Sequence, residues 1–90
     1  MFTEAKQLLD KQAPGWAWRI HLGRLKLQSC RRCVLGQLFG TYVEGLMALG
    51  LDDDRAKDLG FERSNYWTYP RLNVRWNRFI KSVRRGGRIG

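Results

Sequence analysis

Apolar positions recur at helical spacing through most of the chain, and Gly or Pro falls wherever the pattern stops. Ala5, Leu8 and Leu9 mark one side of a helix that Thr3 can cap and that runs to about Gln12, where Pro14-Gly15 ends it. Trp16 and Ile20 stand one turn apart, as do Trp18 and Leu22, which predicts a short helix presenting aromatic groups to the core. Residues 25–28 alternate with period two, but no second strand is available to pair with them. An unpaired strand leaves backbone groups unsatisfied, so this stretch reads as a loop.

Ser29 is placed to cap a central helix over residues 30–39. Cys33, Val34, Leu35, Leu38 and Phe39 make that helix apolar nearly all round, the pattern of a buried element. Gly40 interrupts it. Thr41 and Glu44 then form a capping box for a further helix to Leu49, closed by Gly50. Asp52, Asp53 and Asp54 favour the positive end of the next short helix, which Gly60 ends before Phe61 returns to the core.

The last helix carries the clearest pattern. Pro70 suits a first helical turn, and Leu72, Trp76, Phe79, Ile80 and Val83 form one stripe. Arg71, Arg75, Arg78 and Arg85 form a second stripe on another side. The expected fold is therefore all-α: one small domain over residues 1–85, of about five short helices. It has a buried central helix, an amphipathic basic C-terminal helix and a flexible Gly/Arg-rich tail over residues 86–90.

Charge sharpens this picture. Residues 63–90 contain eight Lys/Arg and no Asp or Glu, whereas residues 1–62 hold nine basic and eight acidic residues. Of the formal net charge of +9, +8 thus belongs to the last 28 residues. A helix that is merely soluble mixes signs; one that does not attracts an anion. The expected contacts are Arg71, Arg75, Arg78, Lys81, Arg84 and Arg85, with Arg88 in the tail and Trp67 and Tyr69 flanking. Asn73 and Asn77 share that helix and can read a base edge. Trp16, Trp18, Tyr66, Trp67 and Tyr69 are candidates for stacking on unpaired bases, with core packing the simpler account of Trp16. The ten-residue connection before the last helix is too long for a helix-turn-helix.

Other chemistry has less support. Cys30 and Cys33 are three apart at an expected helix start, so they would face the same way, with thiolate favoured by the dipole and by Arg31 and Arg32. Zinc needs about four ligands, and His21 is the single histidine, so a site built on Cys30, Cys33 and His21 would have to recruit Asp or Glu or be shared between two chains; thioredoxin-type redox chemistry wants a preceding strand, and none is evident. Packing of Cys33 in the core is the simpler reading. Gly36 and Gly40 are spaced for close helix approach, and Gln37 between them needs partners, with the open amides near Thr41 as candidates. No nucleophile-base spacing, Gly-rich phosphate loop or calcium loop is present, so neither an enzyme nor a cofactor is expected. No apolar run reaches the ~18–20 residues of a membrane span, nor does residues 1–10 resemble a signal peptide, and a cytoplasmic protein is expected.

Residues 33–40, Cys-Val-Leu-Gly-Gln-Leu-Phe-Gly, resemble a block shared by a group of short uncharacterised proteins of actinobacteria and their phages. The resemblance extends to the Trp-bearing opening, to Gly45-Leu46-Met47-Ala48-Leu49-Gly50-Leu51 and to Leu59-Gly60-Phe61, over roughly residues 14–80. It implies a phage accessory protein acting on a host component. Members of the group are mostly acidic, so the basic surface reads as this chain's own specialisation. Two partners follow as expectations, nucleic acid first and an acidic host protein second. A metal-linked dimer through Cys30 and Cys33 is the third.

Overall fold

The computed structural model describes residues 2–89, with backbone alone for residues 87–89. Its elements are α1 (Thr3–Gln12), α2 (Trp16–Arg19), α3 (Val34–Phe39), α4 (Tyr42–Leu49), α5 (Asp53–Leu59) and α6 (Tyr69–Ile89). Short 3-10 turns occupy Leu22–Arg24 and Tyr66–Thr68. Among the described residues there is no strand, and the fold is a small all-α domain.

Local chemistry explains most helix ends. The Thr41 Oγ1 caps α4 by accepting from the Glu44 N–H at 3.1 Å; the Glu44 carboxylate, expected to take the Thr41 N–H, instead accepts from the Thr41 hydroxyl at 3.1 Å. Asp52 caps α5 by accepting from the Arg55 N–H at 2.8 Å. Gly50 and Gly60 end α4 and α5 in the left-handed region, at φ of 67° and 88°.

Three expectations about ends need correction. Thr3 is the first residue of α1 rather than its cap; Phe2 precedes the helix and packs into the core. The central helix starts four residues later than its pattern suggests. Residues 30–33 form a turn instead, in which the Ser29 Oγ accepts from the Arg32 N–H and the Cys33 N–H donates to the Ser29 carbonyl. Finally, α6 continues through Gly86 and Gly87 to Ile89 rather than giving way to a tail at residue 86, while Gly90 and the Arg88 side chain lie outside the described residues.

The core centres on Trp76, which is 0% exposed. Phe2 and Phe61 stack on its ring at centroid distances of 4.3 and 5.5 Å, and Trp16 meets it edge-on at 6.3 Å. Its indole N–H donates to the Gly60 carbonyl at 2.7 Å. Gly60 is doubly constrained, because a Cβ there would also lie 2.5 Å from Phe2. Trp16 is likewise satisfied, donating to Asp10 at 2.8 Å. Leu72, Trp76 and Ile80 are fully buried, with Phe79 and Val83 half-buried, as their shared stripe predicts.

The pair Gly36 and Gly40 does not seat a second helix. A Cβ on Gly36 would come within 2.3 Å of the Cys30 carbonyl oxygen, so this glycine lets the 30–33 turn lie directly on α3. Gly40 closes α3 at φ 106°. Close approach of α3 to α4 falls instead to Gly45, whose Cβ would lie 2.6 Å from Leu35.

Candidate functional site

The outward side of α6 holds Arg71, Arg75, Arg78, Lys81 and Arg85, all exposed. At about 100° per residue they lie within one arc opposite the buried stripe. The ion pairs Lys6–Asp10 and Arg55–Glu4 use none of them. Among the described residues, Arg71, Arg78, Lys81 and Arg85 have neither a carboxylate partner nor a side-chain hydrogen bond. Arg71 and Arg75 also border an open cleft of about 450 Å³, whose far wall includes Lys57, Arg63 and Glu62. The Glu62 carboxylate there accepts a hydrogen bond from Tyr42, which occupies one of its oxygens.

Arg84 does not belong to this outward set. Its guanidinium donates to the carbonyls of Ala17 at 2.8 Å and Ile20 at 2.6 Å, and it lies over the Trp18 ring at 5.2 Å. One side chain thus satisfies backbone groups left open at the end of α2. Asn73 is committed as well: its Oδ1 accepts from the Leu27 N–H at 2.6 Å and its amide donates to Gln28 at 3.0 Å. It is therefore unavailable to read a base edge. Together, Arg84 and Asn73 show that residues 17–28 run antiparallel along one flank of α6.

The aromatic candidates separate by burial. Trp67 is 79% exposed and Tyr66 67%, both next to the start of α6. Tyr69 is 9% exposed, and its hydroxyl both accepts from the Arg63 N–H and donates to the Arg63 carbonyl, so it holds the loop rather than facing a ligand. Trp16 is buried; Trp18, expected in the core, is 56% exposed and covered on one face by Arg84.

The two cysteines do not face the same way. Cys30 is exposed on the turn, whereas Cys33 is buried and caps α3, its sulfur accepting from the Gly36 N–H at 3.2 Å. Burial pushes the Cys33 thiol above its ordinary range, outweighing the amide hydrogen bonds that pull it down, so thiolate is disfavoured there. Among the described residues no three His, Cys, Asp or Glu side chains gather where they could hold a metal. Gln37 finds partners other than those expected: its carbonyl accepts from the His21 N–H at 2.7 Å, and its amide donates to the carbonyls of His21 and Arg32. Among the described residues no helix is long and apolar enough to cross a membrane.

Division of the charge at Glu62 conceals a second basic region. Residues 11–43 contain six Lys/Arg and no acidic residue, while residues 44–62 contain six acidic and two basic residues. A finer count along the chain reveals it; averaging over residues 1–62 cancels it. Comparison of the sequence with protein-family models and with curated proteins, and of the fold with solved structures, gives no match.

Proposed function

We propose that this protein is a non-enzymatic binding protein of the cytoplasm that docks the outward side of α6 onto nucleic acid. The carrying observation is that Arg71, Arg78, Lys81 and Arg85 are exposed together without an internal counter-charge among the described residues. Holding four like charges on one helix costs self-repulsion, which an external polyanion relieves. Arginine forks suit phosphate oxygens, and such contacts position a polynucleotide without reading its sequence. Exposed Trp67 and Tyr66 at the end of the stripe supply faces on which bases or sugars can rest.

Neutralising four phosphates contributes about −3.6 to the slope of log K against log salt. Replacing Arg71, Arg78, Lys81 and Arg85 by Gln removes that share, measured by fluorescence anisotropy on a labelled oligonucleotide across a salt series. A wild-type slope near zero rejects the reading.

One observation favours a second reading, an acidic protein partner. Tyr66 and Trp67 beside cationic side chains are the residue types that anchor protein interfaces. Pull-down from a nuclease-treated lysate separates the two. Loss of the bound material supports nucleic acid, and a stoichiometric protein that survives supports the acidic partner.

A further inference from the structure

Arg24, Arg31 and Arg32 border a single concavity of about 660 Å³, with His21, Ser29 and Cys30 in the same wall. All three arginines are exposed, and among the described residues none has a side-chain hydrogen bond or ion pair. Among the described residues no carboxylate lines the concavity.

The backbone that carries them is tightly held. The Arg32 N–H donates to the Ser29 Oγ at 3.2 Å, and the Arg32 carbonyl accepts from the Lys26 N–H at 3.2 Å and the Gln37 amide at 3.0 Å. The Cys30 carbonyl accepts from the Tyr42 N–H at 2.8 Å, and the turn rests on Gly36. Guanidinium groups on a loose loop separate and lose their mutual repulsion. A pinned turn fixes the backbone positions from which Arg31 and Arg32 reach into the concavity, so an anion there need not order the turn itself.

We propose that this concavity is a second phosphate-binding site, and that duplex nucleic acid held by α6 reaches it across residues 21–28. The proposal rests on the reading of α6 given above. The connecting segment lies along α6, as the Asn73–Leu27 and Arg84–Ile20 bonds show, and it bears exposed Lys26. The Cα extent of 36 Å along the longest axis is about one turn of duplex, so the span a single DNA molecule has to cover is short.

The test uses the full chain and a DNA duplex of about 20 base pairs. Changing Arg24, Arg31 and Arg32 together to Gln is expected to reduce the salt slope by about 2.7 and affinity at 0.1 M salt by at least ~10-fold. Circular dichroism and the melting temperature confirm that the variant is folded. Cys30 supplies an independent readout without any substitution, because Cys33 is buried. Bound duplex should slow alkylation of Cys30 by iodoacetamide several-fold. If the α6 substitutions weaken binding while the triple variant binds as wild type and Cys30 stays fully reactive, the second site is overturned and the α6 reading stands. If wild-type protein binds no duplex at any salt concentration, both fall together.

Discussion

Tyr42 shows how one side chain ties acidic segments together. Its hydroxyl donates to Glu62 and lies 3.5 Å from Asp53. Burial, then the Glu62 hydrogen bond and the charges of Glu62 and Asp53, push its ionisation well above the ordinary value. The neutral phenol is therefore the form the fold prefers. The stabilisation is complete below the unfolded-state value of about 10 and declines as pH rises past it. Tyr42→Phe should flatten that decline: wild type loses stability relative to the variant between pH 9 and 11.5, read by urea denaturation. Parallel curves would refute the assignment. Gly36 poses a steric question instead. Gly36→Ala sets a methyl carbon against the Cys30 carbonyl, and a cost of roughly 3 kcal/mol is expected by the same denaturation assay. Such a contact is invisible in the sequence, because glycine spacing alone does not distinguish helix-on-helix from turn-on-helix packing.

Among the elements, α6 was the most legible and also held the largest surprise. Its buried stripe follows directly from the spacing of Leu72, Trp76, Phe79, Ile80 and Val83. Its cationic side mixes two kinds of arginine that spacing cannot tell apart. Arg84 differs from Arg85 by one position, yet its guanidinium is used by the carbonyls of α2. Arg84→Gln should consequently lower stability by about 2 kcal/mol, the scale of lost charged hydrogen bonds, while duplex affinity of the folded protein changes less than threefold. Melting and anisotropy on one preparation check both halves, and a large affinity loss without destabilisation would return Arg84 to the binding surface. The start of α3 departs from its sequence pattern for a related reason. Ser29 does accept a backbone hydrogen bond, but it closes a turn, and the thiol of Cys33 takes the capping role. The Thr41 cap of α4 and the closing glycines of α4 and α5 match their sequence signals because that chemistry is local.

For the molecule as a whole, legibility depended on range. The all-α class follows from helical periodicity and glycine punctuation, which involve neighbours within a turn or two. The exposure of Arg71, Arg78, Lys81, Arg85 and Trp67 follows from spacing, whereas Tyr69, Arg84 and Asn73 are engaged internally by partners 6 to 67 residues away, which spacing does not show. Charge is also partitioned by sequence segment. Acidic residues concentrate over residues 44–62, and cations over residues 11–43 and 63–90. On the proposed reading, association with a polynucleotide is therefore expected to be faster at low salt, which stopped-flow anisotropy across a salt series checks.

Trp76 has a consequence for how the chain is born. Its ring joins Phe2, Trp16 and Phe61, so residues up to 74 positions apart in sequence close one cluster. During synthesis the earlier helices emerge without the indole that completes their core. They are individually too short to persist in water. A chain that stops before α6 therefore lacks the ring on which Phe2, Trp16 and Phe61 converge, and it is expected to lose cooperative unfolding, which urea denaturation of such a truncation checks.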